Sequence, residues 1–207
     1  MAETKIVWPW KPLFTWNPVI GCSRGCGFCY ARKISTRFKM TPDFNKPVYF
    51  NQRLKQRFKA GSNVFVGSMS DIEYWNKTWI MNVIDYCNMN PMVYFYFLSK
   101  NPMAYYGFDW PSNCCLGLTM TLTQTSHGQR EMVDAMMTYR GNGLFLSIEP
   151  LLGCLSQEHS LLGRFDWIIV GAMSGQGAVN PRKEWVDSIK RLRLDNVFWK
   201  PSMKDYL

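Results

Sequence analysis

A chain of 207 residues with 47% hydrophobic and 15% aromatic content can bury a substantial core and most simply forms one domain, residues 1–207. No apolar run reaches the length of a bilayer-crossing helix, and the start lacks the apolar core of a secretory signal, so the composition implies a cytoplasmic protein. The formal charge of +9, from 24 basic against 15 acidic residues, favours a polyanionic partner and speaks to association rather than to fold.

Six short apolar runs predict strands: Val19–Cys22, Val64–Gly67, Val93–Leu98, Leu116–Thr121, Leu144–Ile148 and Trp167–Val170, with a late strand over Val197–Lys200. Polar, helix-compatible stretches between them predict helices over Tyr30–Arg37, Ile72–Asn88, Gly128–Tyr139 and Arg182–Arg193. Asn101–Asn113 reads as a loop with at most a short turn. The alternation favours an α/β fold with mostly parallel strands over a helical bundle or a sandwich.

Cys22, Cys26 and Cys29 stand in a C-x3-C-x2-C spacing. A [4Fe–4S] cluster ordinarily takes four cysteines. Three at close spacing, with no nearby fourth, leave one iron for a small molecule, as catalytic zinc sites keep an open position. The rival is a structural zinc site completed by a distant Cys87, Cys154, His127 or His159. A disulfide framework fits poorly, because seven cysteines is an odd number and a chain of this length needs no stapling.

The cysteine loop, with the aromatic Phe28 before its third cysteine, resembles the signature of the radical S-adenosylmethionine (SAM) superfamily. The segments TWNPVIGCSRGCGFCYARK, VFVGSMSDI, FLSKNP, LFLSIEPLLG and DWIIVGAMSG resemble successive blocks of a phage-associated family of radical-SAM-like proteins. The resemblance implies a partial (β/α)6 TIM-type barrel with the cluster loop after strand one. It also implies a cluster whose open iron chelates SAM, and an external one-electron reductant that drives SAM cleavage to a 5′-deoxyadenosyl radical.

In α/β barrels the functional groups gather at the carboxyl ends of the strands. That rule brings Ser68, Ser70, Ser99, Lys100, Thr119, Ser147, Glu149 and Ser174 to the cysteine face, whereas Cys114 and Cys115 precede their strand and fall to the bottom or the core. Gly67, Ser68 and Ser70 sit where the superfamily resemblance places backbone contacts to the SAM amino group. Ser70 or Asp71 serves equally well as a helix cap. Glu149, at the end of an apolar strand, needs a partner, either ligand hydroxyls such as the ribose of SAM or a basic side chain. Gly171 and Ser174 belong to a glycine-rich turn that permits close approach to a ligand. Cys154 and an inward-pointing Tyr96 are candidate hydrogen-atom donors, the alternatives being a plain loop cysteine and a core tyrosine.

Basic residues Arg53, Lys55, Arg57 and Lys59, together with Arg32, Lys33, Arg37 and Lys39, interleave with Phe38, Tyr49, Phe50 and Phe58. They form either a nucleic-acid surface or a solvated face backed by core aromatics. Three functions result. The first is a radical SAM enzyme that modifies or repairs a nucleobase in DNA or RNA. The second is a non-catalytic zinc or iron–sulfur nucleic-acid-binding module, and the third a radical SAM enzyme for a small molecule or peptide.

Overall fold

The computed structural model describes residues 3–139, 141–156, 161–175 and 177–207. In chain order the elements are β1 (Leu13–Trp16), β2 (Val19–Ile20), α1 (Tyr30–Phe38), β3 (Val48–Tyr49), β4 (Asn63–Val66), α2 (Lys77–Asn88) and β5 (Tyr94–Ser99). They continue with β6 (Cys114–Met120), α3 (Ser126–Met136), β7 (Gly143–Ile148), β8 (Trp167–Val170), α4 (Lys183–Lys190) and β9 (Val197–Trp199). Seven strands pair in parallel in the order β1-β4-β5-β6-β7-β8-β9. The sheet curls into a half-barrel, in agreement with the α/β, partial TIM-type class expected from the sequence.

The strands read as unbroken apolar runs because both faces of the sheet are covered. Val64, Val66, Phe95, Phe97, Leu116, Leu118, Leu146, Ile148, Ile168 and Val170 point outward and pack with Ile80 and Val83 of α2, Val133 and Met136 of α3, and Val186 and Ile189 of α4. Leu13, Phe65, Tyr96, Phe145 and Ile169 alternate to the inner face and pack with Trp8. The N-terminal arm fills the barrel from inside: Trp10 stacks on Tyr96 at 4.1 Å, and Trp8 lies 4.4 Å from Phe65 and 5.4 Å from Phe145. Gly117 is obligatory beneath this plug, since a Cβ there would stand 2.3 Å from the Phe145 ring.

Three expectations need correction. Val19–Cys22 is not the first barrel strand; Val19–Ile20 pairs antiparallel with Val48–Tyr49 in a separate ribbon. Strand one is Leu13–Trp16, in register with Asn63–Val66, so the sheet has seven strands and the cysteine loop follows β2. Pro12 and Pro18 bracket a segment too short for its apolar pattern to distinguish it from β2. Ile72–Asn88 is not one helix: Asp71 caps a 3-10 turn over Ile72–Tyr74, and Asn76 caps α2 by accepting from the Thr78 N–H at 2.8 Å. The helices expected over Gly128–Tyr139 and Arg182–Arg193 span Ser126–Met136 and Lys183–Lys190. Asn101–Asn113 contains one 3-10 turn, Pro102–Tyr105, as a loop with a short turn should. Among the described residues no helix is long and apolar enough to cross a membrane.

The thiols of β6 and α2 carry a testable consequence. Burial, with Asp166 adding to it, pushes the Cys115 thiol up to about 12, and burial likewise raises Cys87. The unfolded chain ionises its thiols from about pH 8.5 while the folded chain retains those protons, so stability is unaffected below that pH and falls above it. Urea midpoints should therefore drop between about pH 8 and pH 10.5, by about 1.4 kcal/mol per pH unit for each thiol held protonated. A flat profile across that range would show these thiols to be solvated.

Candidate active site

The cysteine loop is pinned to the turn after β4. Gly21 donates its N–H to the Met69 carbonyl at 3.0 Å, and Cys22 donates its N–H to the Phe44 carbonyl at 2.7 Å. Gly21 has φ +115, and a Cβ there would sit 2.9 Å from Pro47 Cα, so only glycine allows this crossing. Cys29 is the N-cap of α1, its sulfur accepting from the Arg32 N–H at 3.4 Å, which sets the positive end of the helix against it. The Arg32 guanidinium lies over the Phe44 ring at 5.0 Å, and Arg24 is ion-paired with Glu73.

Cys22, Cys26 and Cys29 are all free, half-buried thiols, and all three line one cavity of about 460 Å³ at the carboxyl ends of the strands. Phe28 lines it too. The Cys22 thiol is not lowered by the basic residues of the loop. Burial raises it, the Arg24 backbone N–H opposes that, and Asp71 adds to the rise. Arg24 is neutralised by Glu73, so the field at the sulfur is less positive than the composition implies.

The opposite walls come from successive strand ends. Gly67 (φ +75) faces the cavity, and a Cβ there would meet the Trp75 ring at 3.0 Å. Ser68 and Ser70 line the cavity and also brace it: Ser68 Oγ donates to Asn17 Oδ1 at 3.1 Å, and Ser70 Oγ accepts from Trp75 Nε1 at 2.7 Å. Asp71 is a cap as well as a wall. Its carboxylate accepts from the Glu73 N–H, from Ser99 Oγ at 2.6 Å and from the Lys100 N–H at 3.1 Å, tying β5 to the turn after β4.

Thr119 and Ser147 are partners in register on β6 and β7, only 4% and 1% exposed, and both line the cavity. Neither hydroxyl has a protein hydrogen-bond partner among the described residues. Both hydroxyls open onto the cavity and are available to a molecule held there. Glu149 also lines it, ion-paired with Lys200 at the end of β9. The sequence left open a ligand or a basic side chain for this carboxylate; the basic side chain is present, and both members of the pair face the cavity. Ser174 is likewise in the wall.

Gly171 serves a different purpose from the one expected. It is not in the cavity wall, and a Cβ there would lie 2.9 Å from Glu149 Oε1, so the glycine makes room for that carboxylate. Tyr96 points inward but lies outside the cavity wall, its hydroxyl donating to Asn63 Oδ1 at 2.9 Å under the Trp10 plug. Burial pushes its phenol far above the ordinary range. Cys154 is exposed on the α4 side, its thiol directed at the Glu184 carbonyl at 3.7 Å. Neither residue is in the cavity wall.

The distant zinc ligands fare no better. Cys87 is buried in the outer core beside Cys114, and His127 is solvent-exposed against Glu131. Cys87, Cys154 and His127 are all outside the cavity wall, and His159 lies outside the described residues.

Of the second basic cluster, Arg53 is structural, donating to the Asn17 carbonyl at 2.6 Å and lying over Phe50 at 4.6 Å. Lys55, Arg57 and Lys59 are exposed, but Tyr49 stacks on Trp79 and Phe58 packs on Phe95, so these aromatics belong to the core.

Sequence reasoning missed Ile6, Trp8, Tyr30, Leu98 and Lys200, all in the cavity wall. Lys200 could have been found, since the strand-end rule applies to β9 as it does to the rest. Trp8 carried only the signal of its aromatic, proline-containing stretch. No curated protein and no solved structure matches the chain. Residues 3–197 match the family described as "Protein of unknown function (DUF5131)", and the chain belongs to that family.

Proposed function

We propose that the chain is a radical SAM enzyme that acts on a nucleobase in DNA or RNA. The observation that carries the reading is the meeting of Cys22, Cys26 and Cys29 around one cavity at the carboxyl ends of a parallel half-barrel. A cluster takes one thiolate per iron, so its ligands surround a volume instead of meeting at a point. Three thiols around one cavity suit that donor set. The chemistry supplied there is one-electron reductive cleavage of the SAM sulfonium, giving methionine and a 5′-deoxyadenosyl radical.

The chain's own work is to bind, orient and exclude water. Cys22, Cys26 and Cys29 would hold the cluster, with SAM as its remaining ligand. The backbone of Gly67 to Ser70 is the candidate contact for the SAM amino group, and the unpartnered hydroxyls of Thr119 and Ser147 satisfy polar atoms of the bound molecule. Glu149, fixed by Lys200, accepts hydrogen bonds from its hydroxyls. Ile6, Trp8, Phe65 and Leu98 form an apolar wall that keeps water from the reacting centre. The excess of basic residues supports the polyanionic substrate class.

Anaerobic purification and reconstitution should give a brown protein with about four irons per chain. Adding SAM and a one-electron reductant should then release 5′-deoxyadenosine. Colourless protein holding a single zinc, inert toward SAM after reconstitution, would sink the proposal.

A further inference from the structure

Helix α1 leaves the cysteine loop with an unusual exposed face. Tyr30, Ile34 and Phe38 are 50%, 39% and 65% exposed and recur at every fourth residue, so they line one side of the helix over about 12 Å. Tyr30 and Ile34 also line the cavity, which makes the stripe continuous with its mouth. Exposed Lys33, Arg37 and Lys39 flank it, and the helix contains no acidic residue. The Tyr30 ring is held in place by its hydroxyl, which donates to the Ser68 carbonyl at 2.6 Å. The Arg37 guanidinium lies over the Phe38 ring at 5.4 Å.

We infer that this face of α1 is a track for single-stranded DNA, which leads a base from the strand into the cavity. Rings at Tyr30 and Phe38 stack on unpaired bases, which a duplex does not offer, and Lys33, Arg37 and Lys39 meet the phosphates. The strand is taken as DNA because the stripe offers rings for stacking and cations for phosphates, contacts that DNA supplies in full without a ribose 2′-hydroxyl; Ser35 bonds Thr41, and Thr36 projects from another face. The inference rests on the nucleobase reading of the cavity and names the form in which that base arrives.

Anisotropy of a labelled oligodeoxythymidylate of about 15 nucleotides, with reconstituted full-length protein, tests it. Three phosphate contacts predict binding that weakens about 20-fold between about 50 and 200 mM salt. Phe38→Ala should weaken binding at least about fivefold at every salt concentration without changing the slope. Lys33→Ala and Arg37→Ala should each reduce the slope by about 0.7. Tyr106→Ala, which removes a 70% exposed ring elsewhere, should leave binding unchanged, and circular dichroism melts confirm that each variant folds. Indifference to Phe38→Ala, equal or tighter binding of the matched RNA, or no oligonucleotide binding at all, as an acidic protein partner would give, overturns the inference. Release of 5′-deoxyadenosine without DNA reports separately on the enzyme reading. Strand binding without SAM cleavage rejects that reading, and cleavage without strand binding rejects only the track.

Discussion

Serine at position 22, 26 or 29 should abolish 5′-deoxyadenosine formation and cluster colour, whereas Cys154→Ser should retain both at the level of the unaltered chain. The expected loss exceeds about 100-fold, because removing even a side chain that only hydrogen-bonds a metal ligand costs about 10–100-fold. The contrast between the two groups of variants is what makes the experiment informative. The three loop cysteines share the wall of one cavity, whereas Cys154 faces α4 from the outside. Serine is nearly isosteric with cysteine, and the loop is held by backbone bonds from Gly21 and Cys22 and by the Arg24–Glu73 pair, so its course should survive the change. Iron content and the visible spectrum, read beside circular dichroism, separate ligand loss from unfolding. A serine variant that still binds about four irons and cleaves SAM would remove that cysteine from the ligand set. Loss of the cluster on Cys154→Ser would restore the distant-ligand arrangement that the fold argues against.

Phe145→Ala should destabilise the protein by about 3–5 kcal/mol, the range for removing a fully buried aromatic ring. Phe145 is 1% exposed on the inner face of β7 and holds the barrel plug together. Its ring lies 5.2 Å from Trp10, 5.4 Å from Trp8 and 6.2 Å from Tyr96, and fills the space that Gly117 leaves on the neighbouring strand. The reverse change, Gly117→Ala, overfills the same space and should cost about 1–3 kcal/mol, because the clash is with a ring packed on several sides. Urea unfolding measures both. The two residues are in contact, so the double variant should cost less than the sum of the singles. A Phe145→Ala midpoint equal to that of the unaltered chain would mean that the N-terminal arm does not pack as a plug, and the cavity would lose Trp8 as part of its wall.

The lines of the half-barrel are legible in the residues alone wherever a run is apolar throughout. The segments at 64, 93, 116, 144, 167 and 197 all become strands, because a parallel sheet covered on both faces tolerates little else. The cysteine loop, the small residues after β4 and the carboxylate after β7 are legible for a related reason. Position at a strand end is local, and strand ends in this architecture share one face. Thr119, Ser147, Glu149 and Ser174 therefore reach the cavity as expected, and Gly67, Ser68 and Ser70 do so while also serving the turn that holds them.

What escaped is of one kind: it depends on which distant segment a group meets. Leu13–Trp16 and Val19–Ile20 carry similar short apolar signals, and only the register of the first with Asn63–Val66 makes it the barrel strand. Glu149 meets Lys200 fifty-one residues later, and that encounter places Gly171 in service of a carboxylate instead of a ligand. Tyr96 points inward as the two-residue period requires, but the plug brought by Trp8 and Trp10 decides that inward here means sealed. Periodicity, caps and spacing are set by residues within a few positions of one another, so the chain alone determined the strands after the first, the cysteine triad and the common face of the strand ends. Burial and pairing are set by packing between segments far apart in the chain, so only the tertiary structure decided which of those residues open onto the cavity.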